Sequence, residues 1–189
     1  MLRKMIPQIC VFAFAAAKSF AAIEYYVEEQ PQVFEKVNEI ESKGILKQKS
    51  NGYLYLEVSK DFIKKIIPLI ESPGKIVAPK FYKFKKGIGA HISVISEVEQ
   101  VQNDIWEVKE LGQEFNFTVT ELRSAKIRRD NQMKKVWFLC VASPELEKLR
   151  ENYGLSPRLN DREFHITIGI QVPGKPSASI EFEEDDEES

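Results

Sequence analysis

The segments Ala90-His91-Ile92-Ser93-Val94 and Phe164-His165-Ile166-Thr167-Ile168 contain the only two histidines of the 189-residue chain. Polar and apolar residues alternate in both segments, as they do in a strand that buries one face. Each histidine is followed two residues later by a hydroxyl, so the imidazole and the hydroxyl project from the same side of the strand. The pattern predicts two strands that each present a histidine and a hydroxyl opposite the core.

Two imidazoles that act together are suited to the cleavage of a phosphodiester. With an ordinary pKa near 6.5, a neutral histidine accepts a proton from the attacking oxygen, while a protonated one donates a proton to the leaving oxygen. The two hydroxyls can donate hydrogen bonds to the non-bridging oxygens of the phosphate as negative charge builds there. This arrangement requires no metal and no cofactor.

The doubled motif resembles that of the 2H phosphoesterases, a family that includes 2′,3′-cyclic phosphodiesterases and RNA-repair-like proteins. The resemblance is specific at residues 89–95 and 163–169 and looser over residues 53–171. It implies an α+β fold of two pseudo-symmetric lobes, with largely antiparallel sheets that face a central cleft and helices on the outside. A chain of this length, with 43% hydrophobic and 30% charged residues, can bury the core of such a domain.

The resemblance implies a role for each of the four polar motif residues. His91 and His165 would be the general acid and base, in an order that the resemblance does not fix, and Ser93 and Thr167 would bind the phosphate. The implied reaction is hydrolysis of phosphodiesters at RNA ends or in 2′,3′-cyclic nucleotides. Two alternatives remain open: a non-catalytic module of the same fold that binds a nucleotide or phosphate ligand, and an exported interaction protein whose histidines only stabilise strands.

Strands and a helix precede each histidine motif. The predicted elements of the first half are a strand over 53–58, a helix over 61–71 and the His91 strand. Those of the second half are strands over 115–125 and 135–141, a helix over 145–152 and the His165 strand. This similarity of order agrees with an α+β fold of two lobes.

The chain divides into four predicted regions. Residues 1–21 have the basic start, short apolar run and small residues of a signal peptide. We expect a helical or irregular segment over 22–50, the bilobal domain over 51–175 and an acidic disordered tail over 176–189. The protein would be exported if the leader is cleaved and cytoplasmic otherwise, the alternative being a retained first helix. We expect a monomer without stable membrane insertion.

Charge bears on the kind of ligand, and cysteine content bears on the chemistry of the site. The formal net charge is −2, and the tail from 181 to 189 contains seven acidic residues, so the chain between the leader and the tail is mildly basic. Such a body suits a small anionic ligand better than long nucleic acid. Beyond the leader, Cys140 is the one cysteine, in an apolar strand, and we interpret it as a buried inert thiol. No spacing of residues indicates a metal site.

Several aromatic and basic residues are candidates for substrate binding. Tyr53 and Tyr55 share one face of their predicted strand and could stack a nucleobase, the alternative being ordinary packing. A basic, aromatic stretch before the first motif and two arginines before the second could attract a phosphate by their flexible cations, the alternative being solvated loops. These candidates are Lys80, Tyr82 and Lys83 before the first motif and Arg158 and Arg162 before the second.

Overall fold

The computed structural model of the chain describes residues 24–83, 87–129 and 132–171. The predicted leader and the acidic tail therefore lie outside the described residues. The strands of the described part are β1 (Tyr25–Val27), β2 (Lys43–Gln48), β3 (Leu54–Val58), β4 (Ile76–Val77), β5 (His91–Ile95), β6 (Glu114–Asn116), β7 (Thr118–Arg129), β8 (Gln132–Ala142) and β9 (Phe164–Gln171). Its α-helices are α1 (Pro31–Val37), α2 (Asp61–Lys64), α3 (Lys80–Lys83), α4 (Glu97–Gln102) and α5 (Pro144–Asn152).

The strands form one sheet in the order β1-β7-β8-β9-β5-β3-β2-β6, and β4 pairs with one end of β9. All strand pairs of the described residues are antiparallel. The two motif strands, β5 and β9, are neighbours at the centre of the order, with further strands on each side. The pair is joined through Ile92 and Ile166, and its central position places both histidines in the interior of the sheet, away from its edges.

One face of the sheet is covered by helices. Val94 and Ile168, from the two motif strands, are fully buried in the main hydrophobic core, together with Leu54 and Leu56 of β3. Helix α2 packs against β9 and helix α5 packs against β5. Because side chains alternate along a strand, this packing leaves the opposite face of the same strands available for polar groups.

This architecture is a mostly antiparallel sheet with a few helices, and it is compatible with the predicted α+β fold. The predicted pseudo-symmetry of two lobes stays a prediction, because the described strands form a single continuous sheet. Among the described residues, no helix is long and apolar enough to cross a membrane.

The prediction of a helical or irregular segment over 22–50 misses two strands. Strand β1 pairs with β7, and strand β2 pairs with β3 and β6, so this part of the chain extends the sheet at both sides. Pro31 begins helix α1, where its missing N–H costs no hydrogen bond. Gly44 of β2 is required by close packing, since a Cβ there would lie 2.4 Å from the Glu57 carbonyl oxygen.

The prediction of one helix over 61–71 is also wrong. Helix α2 ends at Lys64, and a short 3-10 turn follows at Ile67–Leu69. Pro68 lies inside the predicted helix, where its ring would clash with the carbonyl four residues earlier and its nitrogen has no proton to donate. The apolar side chains Phe62, Ile66 and Ile67 are nevertheless buried as their spacing predicts.

Candidate active site

The site is built on the pairing of the two motif strands. Ile92 of β5 lies opposite Ile166 of β9, and both side chains are buried in the core. The residues on either side of each isoleucine project from the other face of the sheet. That face presents the four predicted site residues, all of them half-buried: His91, Ser93, His165 and Thr167. Continued by one residue on each side of the Ile92–Ile166 pair, this antiparallel register would place each histidine opposite the hydroxyl-bearing residue of the other motif.

Both imidazoles are held in the same way. His91 Nδ1 lies 2.9 Å from the carbonyl oxygen of Gly89, and His165 Nδ1 lies 3.2 Å from the carbonyl oxygen of Glu163. A carbonyl oxygen only accepts hydrogen bonds, so the proton of each neutral ring lies on Nδ1. Nε2 is then the nitrogen of each ring that is free to exchange a proton with a ligand.

The pKa of each histidine is lowered from its ordinary value near 6.5. Burial is the main cause in both rings, and the hydrogen bonds to the backbone carbonyls oppose it only in part. The charges of Lys49 and His165 lower the pKa of His91 further, and the charge of Arg162 does the same for His165. Both rings are therefore neutral at neutral pH before an anion binds.

An aromatic cluster surrounds His91. The ring of Phe81 lies nearest, with its centroid 4.7 Å from that of the imidazole, and Tyr55 and Tyr53 follow at 5.9 and 6.3 Å. The two tyrosine rings stack on each other, and Tyr55 is only 7% exposed. The predicted base-stacking pair is thus placed beside the motif, but its rings pack against each other and against His91.

The hydroxyl of Tyr53 is hydrogen-bonded to the hydroxyl of Ser93. Burial raises the pKa of Tyr53, and the bond to Ser93 opposes this shift only partly. The phenol therefore keeps its proton at neutral pH. With Tyr53 as the donor, Ser93 retains its own proton to donate to a phosphate oxygen.

The predicted basic residues lie at different distances from this centre. Lys80 is exposed on α3, Tyr82 packs against the hydrophobic core, and the side chain of Lys83 lies outside the described residues. Arg162 is exposed and lines a cavity together with His165. Arg158 lines the same cavity and forms an ion pair with Glu147 at 3.5 Å.

The cavity has a volume of about 400 Å³ and reaches from the second motif across β8 and β7 to β1. Its lining includes His165, Thr167 and Phe138, whose ring centroid lies 5.4 Å from that of His165. It also includes Cys140, a buried thiol whose pKa is raised by burial to about 11. The interpretation of this cysteine as buried and unreactive agrees with that shift.

Sequence reasoning missed three residues near the motifs: Phe81, Arg123 and Tyr25. Phe81 lies within the basic and aromatic stretch that was identified before the first motif, but the turn of α3 directs Phe81, and not Tyr82, to His91. Arg123 forms ion pairs with Glu121 at 2.5 Å and with Glu163 at 2.6 Å. The pairing of β7 and β8, which places Arg123 at the cavity, has no local signal in the sequence.

The described residues contain no group of three or more histidine, cysteine, aspartate or glutamate side chains that could hold a metal ion. The family model for the Swiss Army Knife, 2H phosphoesterase domain matches residues 54–174, which include both histidine motifs. No curated protein and no solved structure matches the chain.

Proposed function

Because the chain belongs to the 2H phosphoesterase family, we propose that it hydrolyses phosphodiesters at RNA ends or in 2′,3′-cyclic nucleotides, with two histidines as acid and base. The family match extends over more than half of the chain and supports a phosphoesterase hydrolase in general. The substrate and the roles of individual residues are the parts that we add. RNA ends or small nucleotides would be the partners of a monomeric enzyme.

One observation carries the proposal. The pairing of Ile92 with Ile166 presents two histidines with free Nε2 atoms and two hydroxyls on one open face of the sheet. On the register of this pair the two histidines lie diagonally across the adjacent strands, about 7–8 Å apart. A phosphate group between them would meet a ring nitrogen on two sides.

In the proposed reaction, water attacks the phosphorus of the cyclic diester. A neutral histidine accepts a proton from water at Nε2 as the new P–O bond forms. The other histidine, protonated at Nε2, donates its proton to the ribose oxygen as the old P–O bond breaks. The product is a nucleotide monoester with one free ribose hydroxyl, and a proton exchange with solvent restores the starting state.

Ser93 and Thr167 would stabilise the transition state by hydrogen bonds to the non-bridging phosphate oxygens. This role is supported by the position of both hydroxyls on the face that also presents the histidines. The negative charge of the bound phosphate also favours a protonated histidine beside it, which offsets the effect of burial on the pKa. Substrate binding thus favours the protonated form of the histidine that acts as the acid.

The proposal is tested by incubating the protein with the four 2′,3′-cyclic nucleotides and with a short RNA that ends in a cyclic phosphate. The reaction is run with and without EDTA, and chromatography identifies 2′- and 3′-monoesters. We expect monoester formation at equal rates in both conditions. Recovery of all substrates unchanged would contradict the proposed reaction, and loss of activity with EDTA would contradict the metal-independent mechanism.

We also propose that the protein is exported by means of the leader over residues 1–21. The order of basic, apolar and small residues supports this. Mass spectrometry of the mature chain, expressed with its leader in a secreting host, tests the proposal. A shortened chain outside the cytoplasm is expected, whereas a full-length chain inside the cell would contradict export.

A further inference from the structure

The cavity beside His165 extends to one side of the two histidines only. Its lining residues come from β9, β8, β7 and β1, which are consecutive in the sheet on the side away from β5. On the other side, beside His91, the space is occupied by Phe81 and the stacked pair of Tyr53 and Tyr55. A substrate whose phosphate lies between the histidines therefore has room for a bulky group over β8 and β7.

The floor of the cavity is apolar. A small hydrophobic cluster forms it on the open face of the sheet, distinct from the main core. The members of the cluster are Ala125, Ile127, Val136, Phe138 and Cys140. The Cys140 thiol stays neutral because its pKa is about 11. A floor of this composition favours an apolar group and forms few hydrogen bonds.

Tyr25 forms a wall of the same cavity. Its ring meets that of Phe138 edge to face, with centroids 5.9 Å apart and an angle of 83° between the planes. The ring is 44% exposed, so a large part of it remains available to a ligand. Tyr25 lies in β1, outside the family-matched residues 54–174, so this wall is an addition that the chain makes to the shared domain.

The arginines of the cavity are mostly neutralised. Arg123 is paired with Glu121 and Glu163, and Arg158 is paired with Glu147. Within the described residues, Arg162 is the one arginine of this lining without an ion pair, and it lies close enough to His165 to affect its pKa. The cavity beyond His165 is therefore unsuited to a second phosphate.

We propose that this cavity binds an uncharged aromatic ring carried by the organic group of the scissile phosphate ester, with Phe138 and Val136 beneath the ring and Tyr25 at its side. The inference rests on the proposed function, according to which the substrate is a phosphate ester. The ring is recognised by contact area and not by hydrogen bonds, so different aromatic rings are accepted. A nucleobase is the biological group of this chemistry.

The test compares two monoesters that share one phosphate group, phenyl phosphate and methyl phosphate. Calorimetry gives the dissociation constant of each ester for the parent protein and for Tyr25→Ala. Tyr26→Ala is the matched control, because Tyr26 lies on the opposite face of the same strand, where its ring contacts Lys126. Val136→Thr is a second variant that makes the floor polar with almost no change in shape.

We expect phenyl phosphate to bind the parent about tenfold more tightly than methyl phosphate. Tyr25→Ala should reduce this ratio about three- to tenfold without changing the binding of methyl phosphate, and Val136→Thr should reduce it less. Tyr26→Ala should leave both constants unchanged. Equal binding of the two esters by the parent, no measurable binding of phenyl phosphate, or a ratio that survives Tyr25→Ala would overturn the inference.

Binding does not depend on turnover, so either proposal can be contradicted while the other is retained. A protein that hydrolyses no cyclic nucleotide but prefers phenyl phosphate through Tyr25 would retain the aromatic site and lose the proposed reaction. A protein that hydrolyses cyclic nucleotides without this preference would retain the reaction and lose the aromatic site.

Discussion

Ile92 and Ile166 lie opposite each other in the two central strands, and neither side chain is exposed to solvent. This pair fixes the register of β5 and β9. A slip of one residue by either strand would turn its isoleucine to the open face and its histidine into the core. Burial of two apolar side chains thus determines on which face the polar groups of the site lie.

The activity is predicted to follow a bell-shaped pH profile with its maximum below about pH 6.5. One histidine must be neutral and the other protonated, and burial lowers the pKa of both from 6.5. As the pH rises through the lowered values, the free enzyme loses its protonated acid, so kcat/KM falls. As the pH drops further, the base becomes protonated and kcat/KM falls again.

The profile is measured as kcat/KM from about pH 4 to about pH 9. The two limbs of the profile report apparent pKa values of the histidine pair, and neither limb is assigned to a single histidine. A rate that increases steadily up to about pH 9 would contradict the assignment, because a hydroxide-dependent reaction has no need of a protonated histidine.

Tyr53→Phe is predicted to lower kcat about three- to tenfold through its effect on Ser93. The variant keeps the ring stacked on Tyr55 and removes the hydrogen bond to Ser93, so the serine hydroxyl loses its orientation. Ser93→Ala should lower kcat about 10- to 100-fold because it removes a donor to the phosphate.

A double-mutant cycle separates positioning from packing. If Tyr53 acts through Ser93, then Tyr53→Phe should have no further effect in a Ser93→Ala protein. Tyr55→Phe is the control, because its ring belongs to the same stacked pair. Equal losses from Tyr53→Phe in both backgrounds would show that the phenol does not work through the serine.

Arg150→Met is predicted to lower the free energy of unfolding by about 3 kcal/mol. The guanidinium is completely buried and forms an ion pair with Glu99 at 2.7 Å. It also donates hydrogen bonds to the carbonyl oxygens of Val94, at the end of β5, and of Ser156, in the segment before β9. Removing it leaves these acceptors and a partly buried carboxylate without their donor.

The loss is measured by urea unfolding of the parent and of two variants. Arg158→Met is the control, since its ion pair with Glu147 is partly exposed and should contribute about 0–1 kcal/mol. Similar unfolding free energies for Arg150→Met and Arg158→Met would show that burial does not increase the contribution of the Arg150 ion pair to stability.

Burial opposes ionisation of Glu99, but hydrogen bonds from Arg150 and Ser96 outweigh it and keep the pKa of this carboxyl below its usual value. The stability that the ion pair contributes is therefore lost as the pH falls through that lowered pKa.

Local patterns in the sequence predicted several features of the strands and helices that carry the candidate residues. Alternation of residues identified the buried and open faces of both motif strands, and the Ser143-Pro144 pair predicted the start of α5, where the Ser143 hydroxyl accepts a hydrogen bond from the Leu146 N–H at 3.3 Å. Both are features of a few adjacent residues, for which the sequence carries a strong signal.

The parts that could not be predicted depend on contacts between distant residues. Strand β1 is three residues long and exists because Tyr25 pairs with Ala125, a hundred positions away. The bond from Tyr53 to Ser93 requires the register of β3 on β5, which includes an irregularity beside Tyr55. Such pairings follow from the topology of the sheet, which no single segment encodes.

The paired-histidine mechanism is tested most directly by hydrolysis of 2′,3′-cyclic nucleotides by His91→Ala, His165→Ala and the double variant. Circular dichroism and thermal unfolding establish that each variant is folded. Each single substitution should lower kcat about 10²- to 10⁴-fold, and the double variant should lose little more, because the two rings act as a unit. Turnover near the parent's rate in either folded single variant would contradict the account.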